Sequence, residues 1–211
     1  MATATLLARK YDGHPAPFPS SCSHLVKSLI TVSPELSLKV LHPSEAGQLY
    51  SLVHQNRDHL RQWLPWVDDT KVPEDTRRFL SSSYEAFRQE MAVSFGIRFT
   101  GQLAGMIGFH GFDRTNRVTS LGYWLARDFC RRGIMRKCVA ACVDFAIREE
   151  GMNRVYVRCA TGNKASKRIP QSLGFTFEGV QREAEWLYDH FLDLEVYSIL
   201  ASEWPGTPEG L

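Results

Sequence analysis

Apolar and polar residues alternate in short runs and in helical stripes along most of this chain. Residues 25–32 and 36–41 read as two strands of a hairpin that turns at Ser33, Pro34 and Glu35. Pro43, Ser44 and Glu45 then open a helix carrying Leu49, Leu52 and Val53. A shorter helix is expected over 57–64, stopped by Pro65. Pro73, Glu74 and Asp75 begin the next, with acidic side chains in its first turn and Phe79, Leu80, Tyr84 and Phe87 turned inward. Residues 92–99 and 102–109 alternate as a second hairpin over Thr100 and Gly101. The runs 120–125 and 154–160 are strand-like. Between them Ile134, Cys138, Ala141, Cys142 and Phe145 recur at the spacing of a helix laid on a sheet. Interleaved strands and helices over 24–204 predict a single domain with a mixed α+β sheet.

Outside that domain the pattern fades. Residues 1–23 read as a flexible tail, from the proline, serine and glycine content after Gly13, and 205–211 as a frayed end. The apolar run at the start is too short for a signal peptide, though a transit-like role stays open, and no segment is long enough to span a bilayer. A hydrophobic fraction of 44% in 211 residues supports a core of ordinary size. The formal charge of +2 gives no bulk attraction to nucleic acid or membrane. Five cysteines, an odd number in a domain that needs no staples, favour a reducing compartment such as the cytoplasm. Cys138 and Cys142 lie one helical turn apart without further ligands, so burial explains them better than a metal does.

Chemistry concentrates where one strand ends and the next helix begins. The stretch Phe129-Cys130-Arg131-Arg132-Gly133-Ile134-Met135-Arg136 is a basic loop opening into a helix. Unpaired N–H groups and the positive end of the dipole make such a junction an anion site. Arg131, Arg132 and Arg136 add charge suited to a pyrophosphate, and Gly133 allows a sharp turn. Cys130, near the helix start and its arginines, is expected to be modestly reactive. Further on, Asn163 reads as an N-cap and Gly174 as a helix stop. Pro170 has no N–H to offer the carbonyl of Ser166, which is left as a free acceptor.

Taken in order, Gly122-Tyr123-Trp124-Leu125, the Arg-x-Gly-Ile-Met loop ending at Met135, Asn163-x-x-Ser166, Leu173-Gly174-Phe175 and Glu178-Gly179 resemble the GNAT N-acetyltransferases. Within them the chain is most similar to the RimJ/RimL branch, which acetylates ribosomal-protein N-termini. The resemblance implies a mostly antiparallel central sheet, helices on both faces and a splayed strand pair that holds the cofactor. It implies acetyl-CoA as co-substrate, a primary amine as acceptor, direct transfer in a ternary complex, no metal, and a homodimer as a candidate assembly. The loop departs from the pattern: Cys130 stands where the family commonly has glutamine, and Arg131 replaces the first glycine. Arg136 also replaces what is commonly a small hydroxyl residue.

By this resemblance Trp124 and Leu125 line the pantetheine arm, and Arg131, Arg132, Gly133, Ile134, Met135 and Arg136 cradle the pyrophosphate. Asn163 holds the pantetheine or its phosphate edge, and Ser166 occupies the place of a proton donor to the leaving thiolate; for both, plain helix capping is the alternative. His110, at a strand end, is the first candidate base, with Glu178 and the pair Asp189 and His190 behind it. A water chain would serve as well. The acceptor side rests on Asn56, Arg57, Trp63 and Trp66, with Tyr188, Asp189 and His190 in a late loop. Two rival functions stay open: detoxification of an amine antibiotic or aminoacyl-nucleotide, and a non-catalytic acetyl-CoA-binding module, the latter raised by the altered loop.

Overall fold

The computed structural model describes Thr3–Ala4 and residues 27–207. Nearly all of the expected tail, and the last four residues, lie outside the described residues. The strands are β1 (Thr3–Ala4), β2 (Leu29–Ser33), β3 (Leu36–Val40), β4 (Val93–Phe99), β5 (Gln102–Asp113), β6 (Val118–Leu125), β7 (Arg154–Ala160), β8 (Thr176–Leu187) and β9 (His190–Leu200). The helices are α1 (Ala46–Gln55), α2 (Arg57–Leu60), α3 (Pro73–Arg88), α4 (Ile134–Asp144) and α5 (Lys164–Ser172). One sheet runs in the order β2-β3-β4-β5-β6-β7-β9-β8, with β1 pairing β6 off that path. Every pairing is antiparallel except β6 with β7.

Strand alternation divides the interior in two. On one face Ala104, Ile107 and Phe109 of β5 and Leu121, Tyr123 and Leu125 of β6 pack against Ile134, Cys138, Val139 and Cys142 of α4. On the other, Leu103, Met106 and Trp124 meet Leu49, Val53, Leu60 and Leu80 from α1, α2 and α3. The stripe on α4 is wider than the sequence spacing predicts. Met135, Ala140 and Val143 are also buried, because the helix lies in a full layer, whereas Ala141 is only half-buried. The expected helix over 57–64 is shorter, ending at Leu60, and Pro65 begins a separate 3-10 turn over Pro65–Val67. In α3, Asp75 accepts hydrogen bonds from the Lys71 and Val72 amides at 2.8 and 2.9 Å, so the first-turn acid serves as the cap.

The parallel pair positions the site. β6 and β7 pair only from Val118↔Arg154 to Leu121↔Val157. Yet β6 continues to Leu125 and β7 to Ala160, each still paired on its outer side with β5 and β9. Past Leu121 the two strands part, leaving facing edges of main-chain groups that do not pair with each other. Opposite Leu125, Gly105 lets β5 come close: a Cβ there would lie 2.2 Å from the Trp124 carbonyl oxygen.

Candidate active site

Four elements converge on the gap between β6 and β7. The edge of β6 that β7 leaves accepts extended main chain: Thr3 and Ala4 of β1 pair there with Trp124 and Tyr123. Beyond Leu125 the chain turns through Arg127–Phe129 into the basic loop. Arg131 has φ 63° and Gly133 φ 73°, both in the left-handed region. Arg131 therefore stands where glycine is favoured, so its departure from the family pattern costs strain but keeps the turn. Gly133 is the N-cap of α4, and the amides of Ile134, Met135 and Arg136 open the helix with no partner inside it. The side chains of Arg131 and Arg132 are exposed; Arg136 turns toward α5, its Nη2 3.4 Å from the Ser172 carbonyl.

Cys130 does not behave as expected. Burial pushes its thiol up, outweighing the nearby Arg131 and Arg127, because it lies three residues before the helix N-cap, half inside the core. Its Sγ donates to the Ala126 carbonyl at 3.5 Å.

Across the gap, Asn163 caps α5 by accepting the Ser166 amide at 3.1 Å, as its position predicts. Ser166 is fully buried, its Oγ 3.2 Å from Cys159 Sγ on β7. Its carbonyl accepts the Tyr123 hydroxyl at 3.2 Å, which is the free acceptor that Pro170 creates. Burial holds the Tyr123 phenol well above its ordinary value, so it remains a donor.

The segment from Asn56 to Trp66, which the family resemblance puts on the acceptor side, closes over the end of β6. Asn56 accepts the Arg127 amide at 2.9 Å and donates to the Leu52 carbonyl. Arg57 donates to the Val67 carbonyl at 2.5 Å and to that of Thr70. These two polar side chains are committed to main chain and fasten the segment that bears the tryptophans. Trp66 packs on Trp124 with ring centroids 6.2 Å apart, and Trp63 lies over Gly162, where a Cβ would be 3.2 Å from its ring. The indole N–H groups of both are buried and have no partner among the described residues. From the far side Tyr188, at the turn between β8 and β9, donates to the Leu64 carbonyl at 2.7 Å, and Arg61 stacks on its ring at 4.1 Å. Asp189 and His190 bond each other at 2.7 Å on the exposed tip.

The base candidates separate. His110 is exposed and bonded to Ser120 Oγ at 3.2 Å. Ser120 is four residues back from Trp124, about 13 Å along the strand. Glu178 is clasped by Arg154, which holds its carboxyl below the usual range and makes it a poor base.

His59 was not singled out by its sequence. Its ring is buried, and Nε2 donates to the Leu125 carbonyl at 3.1 Å, so in the neutral ring Nδ1 is a lone pair with no partner among the described residues. Burial lowers its pKa. Cys159, Gly105 and Gly162 join it as residues whose importance only the assembled site reveals, and Tyr123, part of a motif in the sequence, gains its bond to Ser166 only there.

A strand edge that accepts extended main chain, beside left-handed turns and helix N–H groups, suits an extended amide arm and a diphosphate. The chain matches the Acetyltransferase (GNAT) domain family over residues 35–176 and belongs to it. It is 30% identical to YdaF of Bacillus subtilis (strain 168), grouped with ribosomal N-acetyltransferases, over 83% of this chain and 96% of that one. It is 27% identical to the ribosomal-protein-serine acetyltransferase of Escherichia coli (strain K12), over 80% and 94%. Among solved structures it resembles RimL, the ribosomal L7/L12 alpha-N-protein acetyltransferase, in complex with coenzyme A (TM-score 0.79, 27% identity, 82% of this chain and 97% of that one). It also resembles the microcin C7 self-immunity acetyltransferase MccE in complex with acetyl-CoA and AMP (TM-score 0.78, 28% identity, 84% and 98%). The chain is an N-acetyltransferase that uses acetyl-CoA to acetylate a primary amine.

Proposed function

We propose that the acceptor is the N-terminal amine of a protein, in the manner of the ribosomal-protein acetyltransferases that this chain resembles. The observation that carries the reading is the parting of β6 from β7 next to the left-handed loop of Arg131 and Gly133. The donor side is that β6 edge with the loop, and the acceptor side is Trp63 and Trp66, on the segment that Tyr188 fastens at Leu64. Flat apolar walls suit a peptide end that must lose water before attack. Acetyl-CoA supplies the activated acyl group. The amides at the start of α4, with the exposed arginines, hold the diphosphate; the β6 edge aligns the pantetheine arm; Asn163 fixes the start of α5. Ser166 donates a hydrogen bond to the departing sulfur as the new C–N bond forms. His110 and Glu178 are poorly disposed as bases, so the amine sheds its proton through water at the mouth of the site. We place the reaction in the cytoplasm, with which the free Cys130, Cys138, Cys142 and Cys159 agree. Among the described residues no helix is long and apolar enough to cross a membrane.

MccE, solved with AMP, supports a second reading, a small aminoacyl-nucleotide acceptor, for which the same tryptophans would stack on a base. Mass spectrometry of acetyl transfer to ribosomal-protein N-terminal peptides, run beside aminoacyl-nucleotides and amine antibiotics, decides between them. Peptide turnover with no small-molecule turnover is expected; the reverse would transfer the assignment to detoxification.

A further inference from the structure

Ser166 is held from three directions. Asn163 takes its amide proton at 3.1 Å. Tyr123 bonds its carbonyl at 3.2 Å from across the gap, because Pro170 leaves that carbonyl without a helical partner. The third contact is the least expected: Cys159 Sγ lies 3.2 Å from Ser166 Oγ, with both residues almost completely buried. Cys159 sits on β7 two residues past Val157, the last residue of that strand to pair with β6, so its main chain borders the gap while its side chain is in the core beneath.

Either atom of this pair has a proton to give, and the direction matters. Sulfur is a weak acceptor, and a hydroxyl proton spent on it is turned away from the gap. If the thiol donates instead, the serine oxygen is satisfied as an acceptor and its own O–H is released. Burial pushes the Cys159 thiol up to about 11, so it keeps its proton at neutral pH. We infer that Cys159 is a positioning residue for the transfer: its S–H donates to Ser166 Oγ and thereby aims the Ser166 hydroxyl proton at the departing sulfur. This rests on the reading of Ser166 as donor to the leaving thiolate.

The test is a double-mutant cycle on the full chain, with kcat and KM for acetyl-CoA measured separately and melting temperatures taken to exclude misfolding. Cys159→Ala is expected to lower kcat by roughly three- to tenfold, the worth of one hydrogen bond, with KM for acetyl-CoA unchanged. Cys159→Ser, which restores an O–H donor, recovers most of that loss. In a Ser166→Ala background, Cys159→Ala has no further effect on kcat. Equal losses from Cys159→Ala in both backgrounds, or no recovery by Cys159→Ser, overturn the positioning role while leaving Ser166 as donor. A Ser166→Ala enzyme with wild-type kcat sinks the reading of Ser166, and the inference with it.

Discussion

At the scale of single residues the site is decided by which groups are denied partners. His59 is buried against the Leu125 carbonyl, its Nδ1 without a partner among the described residues, and burial lowers its pKa from the ordinary imidazole value. In the fold the ring resists protonation while the unfolded chain accepts a proton more readily. Its contribution to stability is therefore complete above about pH 6.5 and is lost as pH falls through the lowered value. Melting temperatures followed from about pH 7.5 down to about pH 5.5 should drop more steeply for wild type than for His59→Gln. Parallel curves would contradict that. Little of this is legible in the chain. A histidine inside Asp58-His59-Leu60 reads as a helix-surface residue until β6 is brought against it. Asn163 and Pro170 are the opposite case: capping and the missing N–H are local rules, so both are plain from sequence. The donor that answers Pro170, Tyr123, lies 43 residues from Ser166 in the chain and has no local signature.

At the scale of elements, period and punctuation carry most of the fold. The hairpin β2–β3, helices α1, α3, α4 and α5, and strands β4 to β7 follow from alternation, stripes, prolines and glycines. The shortfall at α2 has a physical cause: with four helical residues before the chain turns toward Pro65, tertiary anchors from Asn56 and Arg57 hold it rather than helical propensity. The parting of β6 from β7 is a matter of register, which no single strand encodes. Gly105 is its hidden requirement, since β5 must press against Trp124 and Leu125 to hold the β6 edge in place. Gly105→Ala forces a Cβ to within 2.2 Å of the Trp124 carbonyl unless the strands shift. Chemical denaturation should show a loss of about 1–3 kcal/mol, with acetyl-CoA affinity reduced alongside. Wild-type stability would mean the β5–β6 contact is looser than described.

For the whole molecule, the two sides of the proposed site come from distant parts of the chain. The donor side, β6 with the loop into α4, is contiguous and was readable as a motif. The acceptor side joins the Asn56–Trp66 segment to the turn at Tyr188, a contact spanning 124 residues from Leu64 and invisible to any local pattern. The altered loop raised the question of whether Cys130 and Arg131 close the cofactor site. In the fold Arg131 keeps the left-handed turn of the glycine it replaces, its side chain is exposed, and Cys130 is drawn toward the core. Calorimetric titration with acetyl-CoA of the wild type and of the double variant Arg132→Ala, Gly133→Val tests this directly. Gly133→Val puts a β-branched residue at φ 73°, which it strongly resists. Micromolar binding by the wild type, lost in a double variant that still folds, is the expected result. No binding by the wild type, or undiminished binding by the variant, would contradict the assignment of this loop as the cofactor site.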